Sequence, residues 1–280
     1  MADRPELDRP ELDRPGWSTP YTAILGSRLR SQLQYRTSFG IELVSSIGVG
    51  AVELAEVYVM FHNVPLLGGL DFSAALLVFG LANLAFSLAD LVTGHLDEIN
   101  NWLRLGTFDV LLLRPLPVLA QLVLADVTLK RVGRGLLALA VMALALTQVQ
   151  LTWTPAHVVL LVLTPVTGAL IFSALFCSAA ALQFHLVDGG EFANAFTYGG
   201  SYAAQYSTAV YALPLRVFYT FVIPTAFTAY LPALTLLDRT GPDGVPTWFG
   251  WLTLPASLLA AAAALVLWRS GVRHYQGGGG

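Results

Sequence analysis

The amino-acid sequence predicts an all-α integral membrane protein with six transmembrane helices. Of its 280 residues, 55% are hydrophobic and only 12% are charged, and the mean hydropathy is +0.64. Soluble domains carry about 25% charged residues, so this share is too small to cover a globular surface with polar groups. The apolar residues also gather in runs of about 20, the length that a helix needs to cross a bilayer.

The same composition excludes several classes of protein. The net charge of −3 provides no basic field that would attract nucleic acids, and the single cysteine, Cys177, allows no intrachain disulfide. Lys130 is the only lysine and no GxxxxGK[ST] motif is present, so the chain cannot hold a nucleotide in a P-loop. The five histidines lack metal-ligand spacing. We therefore expect no catalytic centre and no metal site in this chain.

Two different segments precede the first span. Residues 1–20 repeat Arg-Pro-Glu-Leu-Asp with a period of five, and because such a density of proline forbids a helix, we expect a disordered tail. Residues 21–37 instead place apolar side chains at helical spacing among arginines that can reach lipid phosphates. This pattern predicts a cytoplasmic interfacial helix. At the other end, residues 277–280 form a glycine tail.

Six apolar segments are long enough to span the bilayer, within a transmembrane domain that we place at 38–276. They cover residues 38–61, 70–92, 133–150, 157–182, 193–212 and 247–268. A further segment, 213–237, is also long, but Pro214, Pro224 and Pro232 interrupt it. Broken helices at membrane depth are tolerated where protein buries them or where they line a cavity. We expect this segment to be re-entrant, entering and leaving from the outer face.

The distribution of basic residues predicts the orientation. Thirteen of the fifteen basic residues lie before the first span, between spans two and three, or after the last span, whereas loops 62–69 and 151–156 carry none. Because basic residues concentrate on the cytoplasmic side, both termini should be cytoplasmic, which requires an even number of spans. A full seventh span at 213–237 remains the competing interpretation. Arginine in place of lysine and abundant alanine are associated with GC-rich bacterial genomes, so we expect the bacterial plasma membrane.

The connection between spans two and three, residues 93–132, is longer than a helix bundle needs. It contains a charged and tryptophan-bearing stretch, 95–104, and then the sequence GTFDVLLLRPLP at 106–117. A helix in this connection suits either of two roles, packing on a partner protein or lying on the membrane surface. The residues alone leave both roles open.

Four segments of the chain together resemble the ABC-2 family transporter proteins, a subfamily of ABC-2 type permeases. They are LQYR at 33–36, GTFDVLLLRPLP at 106–117 followed by Gln121, RVFYTFVIP at 216–224 followed by YLPA at 230–233, and WRSGVRHY at 268–275. The resemblance covers about residues 22–275. It implies the ABC-2 (type V exporter-like) fold, with an N-terminal interfacial helix, six spans and re-entrant helices between spans five and six.

The resemblance also implies a role in transport. Such permeases form the membrane half of an ATP-driven exporter, in which two permease chains, identical or paralogous, sit on two copies of a separate ABC ATPase. ATP and Mg would then bind to that partner, and this chain would bind no cofactor. In the family, the connection after span two carries a coupling helix that docks on the ATPase. We transfer that role to Leu96, Asp97, Glu98, Trp102, Arg104, Gly106, Asp109, Arg114 and Pro115.

Carboxylates in the first span are candidate functional residues, because ionisable groups inside a membrane are costly. Glu53 and Glu56 share a helix face, since they are three residues apart. They either reach the outer interface and are hydrated, or form an acidic wall that favours cationic substrates. Together with Glu42 they would carry protons in an alternative function, an ion-coupled secondary transporter. No internal repeat of the kind common in such transporters is evident.

A row of tyrosines lies on the fifth span. Tyr198, Tyr202 and Tyr206 recur every four residues, and Gln205 and several small residues lie beside them. A ring that also carries a hydroxyl suits an amphipathic substrate, such as a drug, an antibiotic or a lipid-like molecule. The competing interpretation is an interface between two permease chains, and in a dimeric exporter the same face can serve both purposes. We predict a substrate path along Glu53, Glu56, Tyr198, Tyr202, Gln205 and Tyr206.

Overall fold

The computed structural model describes residues 36–125, 131–186, 189–241 and 244–275. The predicted tail, nearly all of the predicted interfacial helix and the glycine tail lie outside the described residues. The described helices are α1 (Arg36–Asn63), α2 (Phe72–Thr93), α3 (Ile99–Arg104), α4 (Phe108–Leu112), α5 (Val118–Ala125), α6 (Val132–Gln148), α7 (Pro155–Gln183), α8 (Gly190–Ala204), α9 (Leu213–Val217), α10 (Tyr230–Leu236) and α11 (Thr253–His274). The predicted all-helical class is confirmed.

Four helical stretches among the described residues are long and apolar enough to cross a bilayer. They are Gly40–Asn63, Phe72–Arg104, Pro155–Gln183 and Thr247–His274. The pair Leu213–Val222 and Thr225–Leu236 would make a fifth if counted as one bent span. Helices α6 and α8 are shorter, with 17 and 15 residues. The chain is therefore a multi-pass membrane protein with four or five candidate spans by length and composition, and the count of six stays a prediction.

Two helices have bounds that differ from the predicted spans. The fifth span was predicted over 193–212, but α8 ends at Ala204. There the hydroxyl of Ser207 accepts a hydrogen bond from the Ala209 N–H and donates one to the Gly68 carbonyl, which holds the chain in a turn. The last span was predicted to end at 268, but α11 continues to His274, because cationic side chains in a last turn interact favourably with the helix dipole.

Helix α2 lies at the centre of the bundle. In the stretch that includes α2, 72% of an 18-residue apolar run is buried inside the protein. The corresponding shares are 17% for the stretch in α1 and 22% for the stretch that ends with α11. Small residues allow its neighbours to approach closely. A Cβ added at Gly80 would lie 2.8 Å from the Cα of Met142 in α6. The rings of Phe86 in α2 and Phe172 in α7 pack edge to face at 5.3 Å.

The segment predicted to be re-entrant is a broken helix. Its two helical parts are bent by 72° relative to each other, at a break beside Pro224. Proline has no N–H to continue the hydrogen bonds of a helix. None of the residues of α9, in the first limb, is buried, whereas every residue of α10, in the second limb, is buried. The break agrees with the expected proline interruption, and both a re-entrant loop and a bent span satisfy this geometry.

Candidate functional site

Glu53 lies inside the helix bundle and forms an ion pair. Its side chain is only 4% exposed. The Nη2 of Arg134, at the start of α6, donates to both carboxylate oxygens at 2.6 and 2.7 Å. The amide of Gln205, directly after α8, donates to the same carboxylate at 3.2 Å. This cluster therefore joins three segments that are distant in the sequence.

Aromatic packing supports the cation of this pair. The Cζ of Arg134 lies 4.9 Å from the centroid of the Phe86 ring, within the range of a cation–π interaction. Both sequence-based interpretations of Glu53 left it without a cation, and Arg134 was counted among the cytoplasmic basic residues. The sequence signal that could have indicated the pair was the presence of carboxylates in α1 and of an arginine in apolar α6, since buried charges require partners.

The predicted substrate-path residues fall into two groups. Tyr206 is half-buried and lies within electrostatic range of Glu53, Glu56 and Tyr202, so these residues and Gln205 form one cluster, hereafter the Glu53 cluster. Tyr202 is 46% exposed and Glu56 is also exposed, whereas Gln205 is buried. The Glu53 cluster thus has a neutralised, buried floor and an open rim of phenol and carboxylate groups.

Tyr198 lies outside this cluster. It contacts the segment around Leu96 to Arg104 that was predicted to dock on a partner, hereafter the docking segment. Its hydroxyl donates to Asp97 Oδ2 at 3.0 Å, and its ring packs edge to face against Phe86 at 5.8 Å. The amide of Gln183 donates to the Asp97 carbonyl at 3.4 Å. Tyr198 therefore connects α8 to the segment that follows α2.

Buried apolar residues anchor that segment to the bundle. Leu96 and Ile99 are each 1% exposed and Phe108 is fully buried, while Trp102 packs on the core with part of its surface exposed. The structure thus places Leu96 in the core, so a second protein would contact the exposed neighbours of Leu96 and not Leu96 itself. Asp109 is half-buried, and its N–H donates to the Gly106 carbonyl.

The opposite side of the segment presents apolar surface. Leu113 is 85% exposed and Leu105 is 76% exposed, and exposed arginines and a proline are next to them in the sequence. Gly106, at φ +67°, allows the chain to turn between α3 and α4, the helices that these exposed residues follow. We name this surface the docking patch. It comprises Arg104, Leu105, Leu113, Arg114 and Pro115, and Glu98 is exposed on the same segment.

Comparison with protein families identifies this architecture. The family model described as ABC-2 family transporter protein matches residues 47–279, which is well over half of the chain. The chain belongs to the ABC-2 transporter family. It is therefore a permease component of an ABC transporter, a non-enzymatic transport subunit that associates with an ABC ATPase. The predicted family is confirmed. Neither a curated protein nor a solved structure matches this permease.

A second buried hydrogen-bonded residue organises the most distinctive motif of the permease. Gln121 donates to the carbonyls of Leu111 and Leu116, at 3.0 and 2.8 Å, and so holds both ends of the LLLRPLP loop. The sequence comparison had included Gln121 only as a motif residue. These two hydrogen bonds fix the conformation of the loop that carries Leu113, Arg114 and Pro115 of the docking patch.

A second ion pair, which the sequence did not reveal, ties α2 to α6 near this segment. Arg131 donates to the Oδ1 and the carbonyl of Asp90 at 2.6 and 2.7 Å. Gly94 makes room for the pair, because an added Cβ would lie 1.7 Å from the Nη1 of Arg131. The docking segment thus leaves α2 directly beside a fixed charge pair.

Proposed function

We propose that this permease is the six-span subunit of an ABC exporter. The spans would be α1, α2, α6, α7, α8 and α11, with α9 and α10 re-entrant from the outer face and both termini in the cytoplasm of a bacterium. Two permease chains, identical or paralogous, would sit on two copies of a separate ATPase. ATP and Mg would bind to that ATPase, and the permease would bind no cofactor.

The hydrogen bond between Tyr198 and Asp97 is the observation that carries this proposal. Asp97 belongs to the segment behind the docking patch, and Tyr198 belongs to α8, which also carries Tyr202. Directly after α8, Gln205 binds Glu53 on α1. Helix α8 therefore links the docking segment to the Glu53 cluster, with one polar contact at each end. Coupling between distant sites requires such an element with two arrangements, and alternating access would supply the two states.

The docking patch supports contact with the ATPase. Exposed apolar patches on a protein surface mark sites of interaction, and two leucines that are more than three-quarters exposed are accompanied here by two arginines. The same surface would also suit the membrane interface, the alternative that the sequence left open. The two roles predict different losses when the leucines become acidic.

The Glu53 cluster supports an amphipathic substrate, such as a drug, an antibiotic or a lipid-like molecule. Arg134 cancels the charge of Glu53, so the acidic character of the rim rests on Glu56. The rings of Tyr202 and Tyr206 offer apolar faces beside hydroxyl groups. A substrate with an apolar body and a polar or cationic end matches this surface. In a permease dimer, the same face can also contact the second chain.

The second candidate is an ion-coupled transporter in which Glu42, Glu53 and Glu56 carry protons. The pairing of Glu53 with Arg134 speaks against free proton exchange at that carboxylate, and Glu42 and Glu56 are exposed. Dissipating the proton gradient while ATP persists separates the two functions. An ABC exporter continues to transport its substrate, whereas an ion-coupled transporter stops.

The test of the main proposal is gentle affinity purification of the permease from its native membrane, with mass spectrometry of stoichiometric partners. We expect an ATPase with a P-loop at one copy per permease. The variant L105D/L113D should reduce ATPase recovery at least tenfold while the permease stays in the membrane. L66D, which alters an exposed leucine in the loop between α1 and α2, is the matched control. Recovery of the permease alone, stable and monodisperse, would overturn the proposal.

A further inference from the structure

A long apolar groove runs along α11. It has a volume of about 600 Å³ and lies between α7, α11 and the residues around the break at Pro224. On α11 and the turn before it, its lining extends from Leu252 to Leu267, a length of about 22 Å at 1.5 Å per residue. One leaflet of a bilayer is about 15 Å of hydrocarbon, so the groove is long enough to hold a complete acyl chain.

A separate basic pocket lies at the C-terminal end of α11, one residue away from the groove lining along the helix. The pocket has a volume of about 460 Å³ and is lined by Val266, Arg269, Ser270, Arg273 and His274. No carboxylate lines it, and within the described residues neither arginine forms an ion pair. The two guanidinium groups are four residues apart and therefore lie on the same side of the helix.

The two cavities lie along one face of α11. Leu259, Ala263 and Leu267 line the groove, and Ser270 and His274 line the pocket. These residues follow one another at intervals of four, four, three and four, so they form a single stripe on the helix. Arg269 and Arg273 line the pocket from the flank of this stripe. The ring of His274 also stacks on that of His185, 4.7 Å away, which holds the floor of the pocket against the end of α7.

We propose that this stripe is a binding site for an anionic diacyl phospholipid. The phosphate would lie between Arg269 and Arg273, and one acyl chain would lie in the apolar groove. The charge pattern favours this occupant, since a basic pair without an ion-pair partner, at the end of the helix that lines an apolar groove, matches an anion joined to a hydrocarbon chain. Basic pockets at the ends of transmembrane helices bind anionic headgroups for this reason. The site is distinct from the Glu53 cluster and does not depend on the proposed direction of transport.

The test uses the full-length permease in detergent and measures apparent dissociation constants for phosphatidylglycerol and phosphatidylcholine by native mass spectrometry. We expect tighter binding of phosphatidylglycerol. Removal of either arginine should weaken this binding about 5-fold, and R269Q/R273Q should weaken it about 30-fold, because each arginine contributes a similar attraction to an anionic lipid. Binding of phosphatidylcholine should not change. Equal affinity of the wild type and R269Q/R273Q for phosphatidylglycerol would overturn the proposal.

A matched control separates this site from general charge attraction. R239Q removes a positive charge after α10, outside this site, and should leave the binding of phosphatidylglycerol unchanged. A loss in R239Q equal to that in R269Q would overturn the proposal. Glycerol phosphate, which lacks acyl chains, should fail to displace the lipid at equal concentration. Displacement by glycerol phosphate would reduce the site to an anion pocket and would also overturn the proposal.

The apolar half of the site is tested at Ala263, which faces the groove and is exposed. The bulky ring in A263W should weaken the binding of phosphatidylglycerol, because it fills the channel. A photo-crosslinker at residue 263 should capture phospholipid. Capture of a second permease chain instead would identify the groove as a protein interface and overturn the lipid site. The surface position of Ala263 and both arginines allows these variants to fold.

Discussion

Arg134 binds both carboxylate oxygens of Glu53, a residue 81 positions earlier in the sequence, and so converts two buried charges into one neutral unit. The pair attaches α1 to α6. This attachment matters because only 17% of an 18-residue apolar run in α1 is buried in the bundle. The position of α1, and with it the position of Glu56 at the rim of the Glu53 cluster, therefore depends in part on this charged contact, alongside the close packing of Gly50 on Leu137.

Removal of the cation should destabilise the permease. We expect R134Q to lower the free energy of unfolding by about 3–5 kcal/mol, because it leaves a buried carboxylate without a counter-charge. Thermal unfolding in detergent, followed by tryptophan fluorescence, measures the change. The double variant E53L/R134M should recover most of the loss, since apolar residues of similar volume can replace a buried ion pair. An R134Q variant as stable as the wild type would contradict the assignment.

The hydroxyl of Tyr198 should matter for coupling more than for assembly. In Y198F the ring remains packed on Phe86, but the hydrogen bond to Asp97 is lost, which should cost about 1.5–3 kcal/mol for a bond to a charged group. We expect transport driven by ATP to fall while recovery of the ATPase stays normal. Y58F, at an exposed tyrosine of α1, is the control. Parallel loss of transport and ATPase binding would assign Tyr198 to assembly instead.

Two glycine substitutions in membrane helices should have opposite effects. G80A places a methyl group 2.8 Å from the backbone of Met142, so α2 and α6 must separate, at a cost of about 1–3 kcal/mol. G199A meets no atom within 4 Å and should be neutral or stabilising by up to about 1 kcal/mol, because alanine favours helix. Unfolding temperatures of the two variants provide the comparison. Equal destabilisation would contradict the close approach of α2 and α6.

Acid sensitivity is expected at the loop that precedes α2. Partial burial raises the pKa of Asp71, but hydrogen bonds from Ser73 and Arg239 outweigh it and hold this pKa below the ordinary value of 3.8. A carboxyl with a lowered pKa stabilises the folded state above its ordinary pKa and loses that contribution as the pH falls through the folded-state pKa. The unfolding temperature of the wild type should therefore exceed that of D71N at neutral pH.

The same difference should shrink as the pH falls below about 4, because protonation removes the ion pair between Asp71 and Arg239. Unfolding temperatures of both proteins across this range measure the effect. S270A, which alters a residue at the other end of the bundle, should follow the wild-type profile. A constant difference between the wild type and D71N at every pH would show that the carboxylate charge contributes nothing.

The hydrophobic pattern was enough to predict the class of protein, and four short motifs were enough to predict its family. Long apolar runs predicted the central helices α2 and α7 close to their observed bounds, because burial in lipid or protein requires the same continuous apolar composition. The motif around Gly106, together with the three other motifs in register, indicated the family. The prolines of the broken segment also predicted its interruption, since proline lacks the N–H that a helix needs.

Only the tertiary structure decided which polar groups meet. Periodicity predicted that Glu53 and Glu56 share a face, yet the partner of Glu53 is an arginine in α6, and the partner of Tyr198 is Asp97 behind the docking patch. The sequence also did not predict the end of α8, because the turn that follows α8 depends on a hydrogen bond from Ser207 to the Gly68 carbonyl in another loop. A sequence determines which residues avoid water through local composition. The pairing of distant charges depends on how the helices pack, and no local pattern records that arrangement.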